Sequence, residues 1–170
     1  MRLLLIALLF LLFSAAMQEQ AATRIRQGDG YRSSRQYDRA IVEYSEAIRL
    51  DPRSAEAYFN RGLAFEAIGS DRNALEDFSA VIRLNRKDAT ALERRATVHF
   101  RMGAYDRAAG DYDAALVIDP RNAEALYGRG VVRRVRDKAA RATASSERDI
   151  ADAKSIDADI AATMAARGVK

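Results

Sequence analysis

Small and aromatic positions return along this chain at a fixed interval. Gly28, Gly62, Ala96 and Gly130 stand 34 residues apart, and Tyr31, Phe65 and His99 follow three residues later. Ala40, Ala74, Ala108 and Ala142 form a second column, with Tyr44, Phe78 and Tyr112 four residues on. Ala47, Val81 and Ala115 come next, then Leu50, Leu84 and Ile118. Within each unit the apolar positions recur at three- and four-residue steps, the period of an amphipathic helix. Each unit therefore predicts two antiparallel helices joined by a short turn such as "AIGSDRN" or "RMGAYDR". Gly62 and Ala74 fall where two helix backbones must approach closely, and Phe65 and Phe78 fill the space around them. One such pair cannot cover its own apolar face, so neighbouring pairs must stack.

Punctuation supports these boundaries. Asp38, Asp71 and Asp106 stand at or just before the second helix of their units, where a carboxylate meets orphan backbone N–H groups and the positive dipole end. Pro52 and Pro120 close two units by forbidding helix continuation.

Two units depart from the pattern. The first has Arg24 and Gln27 where a large apolar pair is expected, which predicts a frayed opening helix. The fourth keeps Leu126, Gly130 and Ala142 but places Ser146 in the aromatic column. A shift of four restores the register with Ile150, Ala153, Ile156 and Asp157, so "RVRDKAARATAS" lengthens the first helix or its loop by about one turn. The final stretch reads as a terminal helix with Ile160, Met164 and Ala165 inward and Gly168 as stop, a cap for the last apolar face.

The period and its residues resemble the tetratricopeptide repeat, whose signature runs W-x2-L-G-x2-Y, then A-x3-F, then P. The central unit reads Tyr58-x2-Arg61-Gly62-x2-Phe65, then Ala74-x3-Phe78. The resemblance implies an all-α, right-handed solenoid of about four antiparallel helix pairs. The units fall near 21–54, 55–88, 89–122 and 123–157, within an array spanning 17–157, and a capping helix occupies 158–170. It further implies a concave groove, lined by the first helix of each pair, that holds an extended peptide or a partner helix. Groove positions would be Arg26, Asp29, Phe59, Asn60, Leu63, Arg94, Thr97, Arg101, Tyr127 and Arg134. Some such domains grip a peptide's terminal carboxylate with Lys, Asn and Arg side chains. Asn60 and Arg94 match two members of that set, but Ile25 and Arg26 stand where its first Lys and Asn belong, so the clamp is incomplete.

Ahead of the repeats lies "MRLLLIALLFLLFSAA": one arginine, an apolar run over 3–13, then small residues. That is the form of a secretory signal peptide with Ser14 and Ala16 at the −3 and −1 sites and cleavage before Met17. The alternative is an uncleaved anchor, for which the run is short of the roughly 20 apolar residues of a spanning helix.

Charge and chemistry narrow the function further. The net charge is +4, and loss of Arg2 leaves 27 basic against 24 acidic groups, or +3. Acids and bases alternate along most helices instead of concentrating positive charge on one face as nucleic-acid binders do. Cysteine is absent, so thiolate metal sites, disulfides and cysteine nucleophiles are excluded. His99, the one histidine, sits in a packing column, and no phosphate-binding loop or nucleophile motif occurs. The sharpest charge feature is Arg129, Arg133, Arg134, Arg136, Lys138 and Arg141, read as a solvated face with Glu124, Asp137, Glu147 and Asp149 as partial partners. A contact for an anionic partner or membrane surface is the competing reading.

The expected function is a non-enzymatic, exported interaction module, periplasmic or secreted. It needs no cofactor or metal, and its partner is a protein or peptide bearing acidic groups; a membrane enters only if the leader is retained. Two alternatives stay open: a helical repeat that binds nucleic acid, against which the 34-residue period and small charge argue, and an accessory domain of an envelope enzyme complex.

Overall fold

A computed structural model describes residues 2–136 and 144–169, with the side chains of 2–5 and 7–10 left out. The chain is all-α, and its helices pack as adjacent pairs. It divides into two compact units, 1–80 and 81–170.

The first unit holds α1 (Arg2–Ser33), α2 (Tyr37–Leu50), α3 (Ala55–Ala67) and α4 (Asp71–Leu84) as far as Ala80. Its buried residues include Ala21, Ile25, Ala40, Tyr44, Ala47, Ala57 and Ala64. The opening helix is not frayed: α1 runs unbroken from residue 2. Ala21 and Ile25 bury against α2, and Arg24 Nη1 bonds Glu43 Oε2 at 2.9 Å, which compensates for the missing apolar pair. The second unit takes the end of α4, then α5 (Ala89–Arg101), α6 (Tyr105–Ile118), α7 (Ala123–Arg136), α8 (Ala144–Ile156) and α9 (Ile160–Ala166). Asp137, Lys138, Arg141 and Ala142 lie outside the described residues.

Helix ends follow local chemistry. Ser54, Asp88 and Asn122 cap the first helices, accepting from the backbone N of Ala57, Ala91 and Ala125 at 3.2, 2.8 and 2.8 Å. Asp38, Asp71 and Asp106 lie in the first turns of α2, α4 and α6. The N-caps of α2 and α6 are Gln36 and Ala104, which make no side-chain cap bond, so Asp38 and Asp106 act on the helix dipole instead. Gly69 and Gly103, at φ 72° and 74°, end α3 and α5 in the left-handed region that favours glycine. Asp51, Asn85 and Asp119 turn the chain after the second helices, each side chain accepting from the backbone N–H two residues on.

The small-residue column works by contact with the large column. A Cβ on Gly28 would lie 2.5 Å from the Tyr44 ring, and one on Gly62 would lie 2.9 Å from the Phe78 ring. In the third pair Ala96 takes the glycine's place, and the Tyr112 ring also meets Gly128 of the following helix. In the fourth, the side chain facing Gly130 is that of Ile150: a Cβ there would lie 2.7 Å from Ile150 Cγ1, and 2.9 Å from the Ser146 backbone carbonyl. The four-residue shift restores the contact, and Ala153 is fully buried in the column of Ala47 and Ala115.

Candidate functional site

In the first unit, α1 and α3 touch through their first-helix faces. Asp29 is the hub. Tyr44 Oη donates to Asp29 Oδ1 at 2.7 Å, Asn60 Nδ2 donates to the same oxygen at 3.2 Å, and Arg32 Nη2 stands 3.7 Å away. Burial, helped by this carboxylate, pushes the Tyr44 phenol up to about 12, so it stays a donor at any physiological pH. The Asn60 bond fixes the register of α3 against α1. Arg26 lies three residues before Asp29 and Leu63 three after Asn60, so both extend the joined face by one turn. Arg26 is exposed, hydrogen-bonded to Thr23 Oγ1 at 2.8 Å and to no carboxylate among the described residues. Phe59 is half-buried, its ring 5.7 Å from that of Phe78, so it belongs partly to the core.

In the second unit the expected groove residues are differently disposed. Thr97 has no exposed surface: its Oγ1 lies 2.9 Å from Tyr112 Oη, 3.1 Å from Glu93 Oε1 and 3.3 Å from Arg167 Nη2. It cannot meet a partner while the C-terminal segment covers it. Arg101 Nη1 donates to the Arg167 carbonyl at 3.3 Å, and Arg94 Nε stands 3.6 Å from Glu93 Oε2. Tyr127 is half-buried against the core of this unit. Arg134 is exposed but lines a hollow with Glu147, Ile150, Ala151 and Lys154, on the side of α8.

Within the basic run, Arg129, Arg133 and Arg136 are held in ion pairs. Arg129 and Arg133 both bond Asp149, at 2.7 and 2.6 Å, and Arg129 also reaches Asp113 at 3.1 Å. Arg136 pairs with exposed Asp106 at 3.2 Å. Asp149 is the partner that the sequence leads one to expect; Asp113 and Asp106 come from α6. Arg129 belongs to a series that motif reading passed over. Arg61 with Asp77 and Arg95 with Asp111 make the same two-toothed contact within their pairs. The signal was present: Arg61, Arg95 and Arg129 recur at the repeat period, opposite acids that do the same until the four-residue slip.

His99 lies 4.0 Å from Asp111 Oδ2, but burial lowers its pKa below the usual imidazole range. Among the described residues no three His, Asp or Glu side chains converge as a metal site.

Two family profiles match the chain. One described as "TPR repeat" covers residues 28–69 and 98–133, and one described as "Tetratricopeptide repeat" covers 55–88. A comparison with curated proteins finds no match. Among solved structures, the Arabidopsis OM64 TPR domain is 28% identical at a TM-score of 0.68, covering 70% of this chain and 98% of that one. The first TPR domain of Spaghetti (RPAP3), bound to the HSP90 peptide SRMEEVD, is 25% identical at a TM-score of 0.69, covering 71% and 95%. The second TPR domain of human RPAP3, in complex with the HSP70 peptide SGPTIEEVD, is 27% identical at a TM-score of 0.66, covering 68% and 97%.

Proposed function

We propose that this chain, built of tetratricopeptide repeats, is a non-enzymatic interaction module whose first unit seats a peptide or partner helix bearing acidic groups on the joined face of α1 and α3. The observation that carries the reading is the Asn60–Asp29 hydrogen bond at 3.2 Å. It locks two first helices side by side, and a face held rigid before binding loses less entropy on binding. The charge of Asp29 is already met by Tyr44, Asn60 and Arg32. Arg26 is then the cation left for a partner's carboxylate, with Leu63 and the open edge of Phe59 as apolar footing. The peptides held by the two RPAP3 domains both end in Glu-Glu-Val-Asp, which favours an acidic ligand. A full terminal-carboxylate clamp is not part of the proposal, since buried Ile25 stands in place of its lysine.

Selection from a random peptide library displayed on phage tests this. Sequences retained by the parent should be enriched in Asp and Glu, and Arg26→Glu should abolish that enrichment. An unbiased pool, or one unchanged by Arg26→Glu, counts against the reading.

Export belongs to the same proposal. Ile6, Leu11, Leu12 and Phe13 are 59–67% exposed, and among the described side chains of α1 the buried ones begin at Ala21. Apolar side chains that no core covers call for removal or for a membrane, and cleavage before Met17 would leave every buried position among the described side chains of α1 in place. N-terminal sequencing from the native cell should start at Met17 or within a few residues of it. A mature protein that starts at Met1 and extracts only with detergent would establish the anchor.

A further inference from the structure

The second unit carries a different feature, independent of the reading given to the first. Its first-helix face, where α5 and α7 would receive a partner, is occupied by the chain's own C-terminal segment. α9 packs against α7 and α8, with Ile160, Met164 and Val169 fully buried, and the end of the segment reaches α5. Arg167 Nη2 donates to Glu93 Oε1 at 2.7 Å and to Thr97 Oγ1 at 3.3 Å, across 74 and 70 residues of sequence. Arg101 closes the contact from above. Its Nη1 reaches the Arg167 carbonyl, and its aliphatic stem lies where a Cβ on Gly168 would come within 2.9 Å.

Glu93 explains the choice of residue. Its side chain is 3% exposed, and burial drives its carboxyl pKa upward while Arg167 first and then Arg94 oppose that shift. A carboxylate at that depth is costly unless a cation reaches it. Arg94 Nε lies 3.6 Å from Glu93 Oε2, but without Arg167 the other oxygen would keep only Thr97 Oγ1, so the groove favours an occupant that brings an arginine or lysine to Oε1.

The docked segment nevertheless carries two local weaknesses. α9 has seven residues and no side-chain N-cap bond, too short to be stable without its packing. Arg167 Nε is buried and finds no acceptor among the described residues. Each is a loss that a better-fitting segment would not suffer.

We infer that the α5–α7 face is a groove for a short helical segment carrying apolar side chains and one arginine, and that residues 157–169 are its built-in occupant, displaced when a partner segment of that chemistry binds. The first unit thus favours acidic ligands and the second a basic, apolar one. Tethering gives the built-in segment a high effective concentration, so a free peptide competes only once the segment is weakened.

The test uses the full chain and, as probe, a fluorescent synthetic peptide of residues 157–169. Arg167→Glu in the chain should raise probe affinity at least tenfold over the parent, and a probe carrying the same change should bind neither protein. Equal binding to parent and variant, or no binding to the variant, overturns the inference. A measurement on the unaltered parent guards against misfolding of the variant. By hydrogen exchange, amides of α9 should exchange at least tenfold faster than those of α7, because the segment lifts off without global unfolding. Equal rates in α9 and α7 would mean that the segment leaves only when the unit unfolds, and would overturn the inference equally.

Discussion

Arg129 and Asp149 meet through two parallel hydrogen bonds, Nε to Oδ2 at 2.8 Å and Nη2 to Oδ1 at 2.7 Å. Arg61 with Asp77 and Arg95 with Asp111 form the same contact across 16 residues, whereas Arg129 reaches across 20. The fourth pair therefore absorbs four extra residues and still returns the acid to its partner. The contact spans the two helices of a pair, at the position where the repeat signature places a large apolar residue. These pairs replace an apolar peg with an ionic one.

Asp77 is 3% exposed, and burial raises its carboxyl pKa even with Arg61 bonded to it, so removing Arg61 strands a buried charge. Arg61→Ala should cost about 2–4 kcal/mol in urea unfolding, since breaking one side of a buried pair leaves the other unmet. Arg61→Met combined with Asp77→Leu should recover at least half of that loss. A cost below about 0.5 kcal/mol for the single change would mark the pair as a solvated surface contact.

The glycines divide by what faces them. Gly62→Ala should destabilise by about 1–3 kcal/mol, because its new Cβ meets the Phe78 ring inside the core. Gly110→Ala, in the middle of α6 with open space around it, should stabilise by about 0.5–1 kcal/mol through the lost flexibility of glycine. Thermal melts that gave both changes the same sign would refute the packing account.

The columns were legible because a repeat shows itself several times over. Gly28, Gly62 and Gly130 against Tyr44, Phe78 and Ile150 follow from spacing alone, including the slip that moved the partner from Ser146 to Ile150. The arginine series was written in the same spacing, but a charged residue within an alternating sequence reads as solvated face. Thr97 could not be read correctly. Its burial comes from Arg167, 70 residues away, and helix periodicity carries no record of what lies over a helix. Phe59 is similar: its place in the groove column hides the ring contact with Phe78.

His99 supplies a pH dependence with a definite sign. Its folded pKa is lowered, by burial first and then by Arg95 and Arg107 against the pull of Asp111. The neutral ring is the form the fold prefers, so its contribution is present above the unfolded value near 6.5 and is lost as pH falls below it. The parent should lose stability more steeply between pH 7 and pH 5 than His99→Phe, which keeps an aromatic in the column of Phe65. Parallel pH profiles would show that His99 titrates alike in both states.

The α1–α3 face is the proposed seat of a partner. Amide NMR on the full chain, titrated with an acidic peptide from the library selection, tests that claim most directly. The largest shifts should fall on Arg26, Asp29, Phe59, Asn60 and Leu63, and should shrink as salt rises. Shifts confined to the outer faces of α2 and α4, with these five residues unmoved at saturation, would contradict it.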